Sequence, residues 1–221
     1  MRSYGQFCGL ALGLDLVGDR WTLLIVRELL TGAKRFRDLQ DGLPGIATNL
    51  LSSRLRMLEE SELVERRTLP PPAGTTVYSL TNLGAELAAP VHALVRWGGQ
   101  FMRHRTRKQA FRPHWLGVAL QALGLRVDSS TEPFALQIQL PEGSLLLNLS
   151  PSGVEVGDLD SGLPDVHLRC TATEILGLAA GELDWNAAVR GGLEVEGSKT
   201  AIGVLRASLT KTRLASRPHA P

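Results

Sequence analysis

Cysteine is scarce in this chain. Its 221 residues hold two, Cys8 and Cys170, too few and too far apart for the disulfide framework of a small secreted domain. Reduced thiols and a cytoplasmic location are therefore the expectation. The N-terminal stretch "MRSYGQFCGLALGL" agrees, since Asp15, Asp19 and Arg20 follow it at once and it lacks a leader's cleavage signature. Long apolar runs are missing too, and none approaches the ~20 residues that a membrane-spanning helix needs. His92, His104, His114, His167 and His219 fall in no metal-ligand spacing, and Cys-x-x-Cys, His-Glu-x-x-His and Gly-x-Ser-x-Gly motifs are absent. "GLEVEGSKT" (192–200) approaches a phosphate-binding loop, but Ser198 intrudes between Gly197 and Lys199 and "LEVE" reads as strand. These absences argue against an enzyme, a metal site or a cofactor. Lysine is also rare: arginine supplies 20 of the 24 basic residues, which fits a GC-rich bacterial genome.

What is present is a globular composition, 43% apolar and 21% charged, in a chain long enough for one large or two modest domains. The net charge of +2 hides an asymmetry. Residues 1–112 hold 16 Lys plus Arg against 10 Asp plus Glu, a net of +6; residues 113–221 hold 8 against 12, a net of −4. A basic N-terminal half suits a polyanion, because neutralising phosphates releases their counterions.

The first half reads as helices followed by a hairpin. "LALGLDLVG" (10–18), "RWTLLIVRELLTG" (20–32), "RFRDLQDGLPG" (35–45) and a helix from Thr48 to Ser61 come in turn, broken by Gly32, Gly42 and Pro44. "LVERRTL" and "TTVYSLT" flank the turn "PPPAG". From Thr81 to about Lys108 a helical pattern resumes, with Leu83, Leu87, Val91, Leu94 and Trp97 at three- and four-residue intervals and Pro90 expected to kink or break it. Three core helices and a hairpin form a winged helix-turn-helix, in which the last of the three, Thr48 to Ser61, enters the major groove and the wing meets the flanking backbone. In that helix Leu51, Leu55 and Leu58 form the packing stripe. Thr48 is able to cap it, and Asn49, Ser52, Ser53 and Arg56 face away, donor groups suited to base edges. Arg66 and Arg67 are expected on phosphates. The competing reading is a solvated amphipathic helix beside a basic hairpin.

The stretch "CGLALGLDLVGDRWTLLIVRELLTGAKRFRDLQDGLPGIATNLLSSRLRMLEESELVERR", with "YSLTNLG" after it, resembles the HxlR family of bacterial winged-helix transcription regulators over residues 7–102. The resemblance implies a homodimer in which the helix from Leu83 to Met102 pairs with its counterpart and with the first helix. Two recognition helices then meet successive major grooves of a pseudo-palindromic operator, about 34 Å apart. It also implies a role for Cys8, because an equivalent cysteine senses oxidants or electrophiles in some relatives. On its neighbours Phe7, Gly9 and Leu10 alone, Cys8 is expected to pack as a buried apolar thiol, and Cys170 is expected in a core. The basic tract "RHRTRKQAFRPHW" (103–115) is expected to be a linker.

After Pro113 come a helix, "WLGVALQALG"; the strands "FALQIQL", "SLLLNLS", "GVEVGDL" and "DVHLRCT"; two helices, "ATEILGLAAG" and "LDWNAAVRG"; the strand "LEVEG"; and a closing helix, "SKTAIGVLRASL". An α+β domain with an antiparallel sheet covered on one face is the expectation. The run from Asp165 to Ser208 resembles the sterol-carrier-type, or SCP2-like, domain, whose members hold an apolar cavity for lipids or other hydrophobic molecules.

The domain expectation is a winged-helix and dimerisation domain over 1–104, a basic linker over 105–114, an SCP2-like domain over 115–211 and a tail over 212–221. The functional expectation is a homodimeric regulator, repressing more readily than activating, that binds double-stranded DNA and a small apolar effector, with no membrane. Two alternatives stand beside it: a carrier of hydrophobic ligands that uses the winged helix to dimerise, and a Cys8 thiol switch.

Overall fold

The computed structural model describes residues 3–70, 74–102, 109–159 and 162–215, with side chains as far as Leu209. The chain divides into two compact units, Met1–Val91 and His92–Pro221. The expected domain boundary at 104 and the first part of the expected linker fall on residues 103–108, outside the described residues, as do the tip of the hairpin (71–73) and the end of the tail (216–221).

The first unit runs α1 (Gly9–Val17), α2 (Thr22–Leu29), α3 (Phe36–Gly42), α4 (Thr48–Glu60), β1 (Val64–Thr68), β2 (Thr76–Leu80), α5 (Asn82–Ala85) and α6 (Ala88–Gly99), which continues past the division. Its core joins Ile25 and Leu29 of α2, Leu39 and Leu43 from α3 and its end, Leu51, Leu55 and Leu58 of α4, and Leu63 and Val64 at the start of the hairpin. Burying each large aliphatic side chain contributes about 1.5–3 kcal/mol. Two close approaches need glycine. A Cβ on Gly42, at the end of α3, would overlap the buried carboxylate of Glu28 on α2, and a Cβ on Gly84 would overlap the Leu63 carbonyl. Gly84 thereby lets α5 sit against the foot of the hairpin. Thr81 fastens that corner: its hydroxyl donates to the Glu62 carbonyl at 2.6 Å and accepts from Gly84 N–H at 3.0 Å.

The long helix expected from Thr81 to Lys108 is two helices. The break falls at Glu86 and Leu87, and Pro90 lies in the first turn of α6, where a missing N–H costs nothing. α1 buries Ala11 alone. Leu10, Leu12, Leu14 and Leu16 are all exposed in the single chain.

The second unit contains α7 (Pro113–Ala122), β3 (Phe134–Leu140), β4 (Gly143–Ser150), β5 (Gly153–Gly157), β6 (Val166–Arg169), α8 (Ala172–Ala180), α9 (Trp185–Arg190), β7 (Glu194–Gly197) and α10 (Lys199–Ala215). The sheet order is β5-β4-β3-β6-β7. Contrary to the all-antiparallel expectation, β3 and β6 pair in parallel, Leu136 beside Val166 and Ile138 beside Leu168. After β5 the chain leaves one edge and returns on the far side of β3, so β6 enters in the same direction as β3. Alternation sets the two faces. Leu136, Ile138, Leu140, Leu145, Leu147 and Leu149 are buried in one core with Leu116 and Leu120 of α7, Ile175 and Leu178 of α8, and Leu205 and Leu209 of α10. The opposite face carries Gln137, Gln139, Asn148, His167, Arg169, Glu194 and Glu196 together with the buried Leu146.

Candidate nucleic-acid interface

α4 follows the turn Pro44-Gly45, with Gly45 at φ +91°. Its sequence, TNLLSSRLRMLEE, lacks Gly and Pro and is rich in Leu, Arg, Met and Glu, all strong helix formers. Ala47 occupies the N-cap without a side-chain cap, and Thr48 is the first helical residue. The expected Thr48 cap is therefore corrected: its hydroxyl accepts instead from Gln40 Nε2 at 2.7 Å, tying the start of α4 to α3. Leu51, Leu55 and Leu58 are 0–1% exposed, while Thr48, Asn49, Ser52, Ser53 and Arg56 are exposed.

Within that exposed face the groups differ. Ser52 Oγ donates back to the Thr48 carbonyl at 3.0 Å, and Asn49 Oδ1 accepts from Leu50 N–H at 2.9 Å. Arg56 makes no ion pair among the described residues. Arg54, two residues earlier, is different: its side chain is 20% exposed and its Nη1 lies 2.6 Å from Asp19 Oδ2.

The hairpin pairs Val64 with Leu80 through to Thr68 with Thr76. Arg66 and Arg67 are both exposed. As successive strand residues they point to opposite faces of the wing. A bridge anchors the wing to the loop between α2 and α3: Lys34 N–H donates to the Tyr78 carbonyl at 2.9 Å and Tyr78 N–H returns the bond at 2.8 Å. Sequence reasoning passed over Arg35 and Arg37, which are exposed at the start of α3; the signal was the cluster "KRFR". Arg37 makes a long, solvent-exposed pairing with Asp41, at 3.9 Å.

A concavity of about 470 Å³ lies beyond the C-terminal end of α4, lined by Glu59, Glu62, Glu65, Val64, Thr81, Asn82 and Leu83. Three carboxylates make it unsuited to phosphate. Among the described residues no group of His, Cys, Asp and Glu is placed to hold a metal ion, and no helix is long and apolar enough to cross a membrane.

Cys8 does not pack as the buried thiol that its neighbours suggested. It is exposed at the N-cap of α1, because Phe7 and Leu10 are themselves exposed in the single chain. The backbone N–H groups of Ala11 and Leu10 hold its thiol below the ordinary cysteine range. Cys170 is buried as expected, and desolvation, with a smaller contribution from Glu174, pushes its thiol up to about 12.

The family described as HxlR-like helix-turn-helix matches residues 16–106. The HTH-type transcriptional regulator YodB of Bacillus subtilis is 38% identical over 87 residues, 39% of this chain and 78% of that protein. The HTH-type transcriptional regulator Rv3095 of Mycobacterium tuberculosis is 43% identical over 101 residues, 46% of this chain and 62% of its own length. Among solved structures, the reduced form of YodB from B. subtilis is similar at 33% identity, covering 46% of this chain and 100% of that one with a TM-score of 0.39.

Proposed function

The chain belongs to the HxlR-like helix-turn-helix family of transcriptional regulators, and from that premise we propose that it binds operator DNA through the exposed face of α4. Asn49, Ser52, Ser53 and Arg56 meet base edges in the major groove, with Thr48 at the leading end of the helix. Arg66 and Arg67 meet phosphates on either side of the wing. The observation that carries this reading is the division of α4 into a leucine stripe, fully buried, and an opposite polar face, fully exposed, next to an arginine-bearing strand. A helix that only packed would gain nothing from an unpaired guanidinium at Arg56.

The regulator acts as a homodimer. Leu10, Leu12, Leu14 and Leu16 are exposed along α1, and Leu94, Trp97, Phe101 and Met102 are exposed on and after α6; these are the side chains we assign to contact with the partner copy. Two copies of α4 about one helical turn of DNA apart read the half-sites of a pseudo-palindrome. In our reading the winged-helix domain extends over 1–104 and the second domain, over 115–211, is SCP2-like and takes a small apolar effector. What supports this is the sequence resemblance from Asp165 to Ser208 together with a large leucine-rich core between one sheet face and its helices. Repression is the proposed sign of regulation.

The test is selection of duplexes by the intact chain from a random pool, followed by competition. A shared pseudo-palindrome is expected, and Arg56→Ala should lose about tenfold or more in affinity for it, the discrimination of a bidentate guanine contact. Arg56→Ala binding with unchanged affinity would sink the assignment of the reading face.

A second reading is favoured by one observation, the exposed thiol of Cys8 at the start of α1 with its ionisation made easier by backbone N–H groups. Oxidation there alters the α1 surface and with it the dimer. Hydrogen peroxide should then weaken binding of the selected duplex by the native protein and leave Cys8→Ser unaffected. An equal response in both proteins excludes the thiol as the sensor.

A further inference from the structure

The ion pair between Arg54 and Asp19 lies off the face just described. Arg54 stands on α4 between the leucine stripe and the exposed polar groups, with its side chain 20% exposed, and is thus withdrawn from a bound duplex. Its Nε is buried without a hydrogen-bond partner. The carboxylate of Asp19, 2.6 Å from Nη1, neutralises a guanidinium largely removed from water. Asp19 belongs to the turn between α1 and α2, where Thr22 N–H donates to the Asp19 carbonyl at 3.2 Å.

The same turn carries Trp21 at φ +80°, a left-handed conformation that a bulky side chain rarely adopts. Backbone held this way marks a place over-determined by its surroundings. The Trp21 ring reaches the turn before α4: a Cβ on Gly45 would stand 4.0 Å from ring atom Cη2. The Arg20 guanidinium covers the ring at 5.6 Å from its centroid. One short turn therefore meets α4 by an ion pair on its flank and places a ring beside Gly45 in the turn that precedes it. The leucine stripe holds α4 against the core, but apolar burial has no direction. The Gln40–Thr48 hydrogen bond ties the start of α4 to α3, and the Asp19–Arg54 pair adds a directional contact on the flank of the helix.

We infer that Asp19 is a positioning residue for α4: through Arg54 it fixes the rotation at which Asn49, Ser52, Ser53 and Arg56 are presented. This rests on the reading of α4 as the DNA-reading helix. Asp19 itself touches no DNA.

The test uses the intact chain, its Asp19→Asn and Arg54→Gln variants, and the charge-reversed pair Asp19→Arg with Arg54→Asp. Amide hydrogen exchange reads the hold on α4 without DNA. Both single variants should exchange about fivefold faster over Thr48–Met57 with α2 unchanged, the scale of one ion pair, and the reversed pair should restore protection. Discrimination between the duplex selected by the native protein and a scrambled duplex of equal composition should fall about fivefold. Affinity for the scrambled duplex should stay, since the wing arginines are untouched. Unchanged exchange in α4, or acceleration spread evenly over the whole unit, overturns the inference. If the native chain selects no duplex at all, the DNA-reading role of α4 fails instead, and the exchange result still decides whether Asp19 holds the helix.

Discussion

Two arginines two residues apart on α4, Arg54 and Arg56, show how position decides the role of a side chain. Arg54 has a carboxylate 2.6 Å away and little exposure; Arg56 is exposed and makes no ion pair among the described residues. The cysteines divide in the same manner. Cys8 is exposed, and backbone N–H groups make its ionisation easier by lowering its pKa. Cys170 is buried, and desolvation makes its ionisation harder by raising its pKa to about 12. The thiolate is the reactive species, so pH-dependent alkylation of the native protein by iodoacetamide should separate them. Cys8 is expected to react at lower pH than an ordinary exposed thiol. Cys170 keeps its proton as pH rises until near 12, and should react only after unfolding. Equal alkylation of both thiols at neutral pH would contradict the two environments.

At the scale of the element, α4 draws its place in the fold from Leu51, Leu55 and Leu58. Leu55→Ala should destabilise the chain by about 2–5 kcal/mol, lost transfer plus the cavity left behind, while Ser53→Ala on the exposed face should stay within about 0.5 kcal/mol. Urea denaturation followed by circular dichroism measures both, and equal costs would mean that the stripe is misassigned. The stripe was legible in the sequence because helical spacing alone reveals it. So was β3, whose alternation matches Phe134–Leu140 residue for residue. Other features were not legible. The parallel pairing of β3 with β6 depends on where the chain returns after β5, and periodicity within a strand holds no record of its neighbour. The sequence predicts a break near Pro90, but not its place at Glu86 and Leu87, which leaves Pro90 in the first turn of α6. Asp19 and Arg54 lie too far apart in sequence for any local pattern to join them. Exposure of Cys8 was hidden because Phe7 and Leu10 beside it suggest burial, yet the single chain leaves both uncovered.

At the scale of the whole molecule, charge and architecture divide the chain in the same sense. Residues 1–112 carry a net +6 and residues 113–221 a net −4, and the arginines of α3, α4 and the wing fall within the first compact unit. The leucines of α1 are exposed in the single chain, and in the proposed homodimer a second copy would double the cationic contacts on one duplex. An effector in the second unit changes operator affinity only if it prefers one arrangement of the paired reading heads, as linkage requires. The central claim is that an exposed helix face and a basic wing engage duplex DNA in pairs. The most direct measurement is the affinity of the intact chain for its selected duplex, followed by fluorescence anisotropy from low to high salt. The four wing arginines of a dimer predict two chains per duplex and a log–log slope of about −4. A salt-independent affinity, or no binding to any selected duplex, would contradict the account.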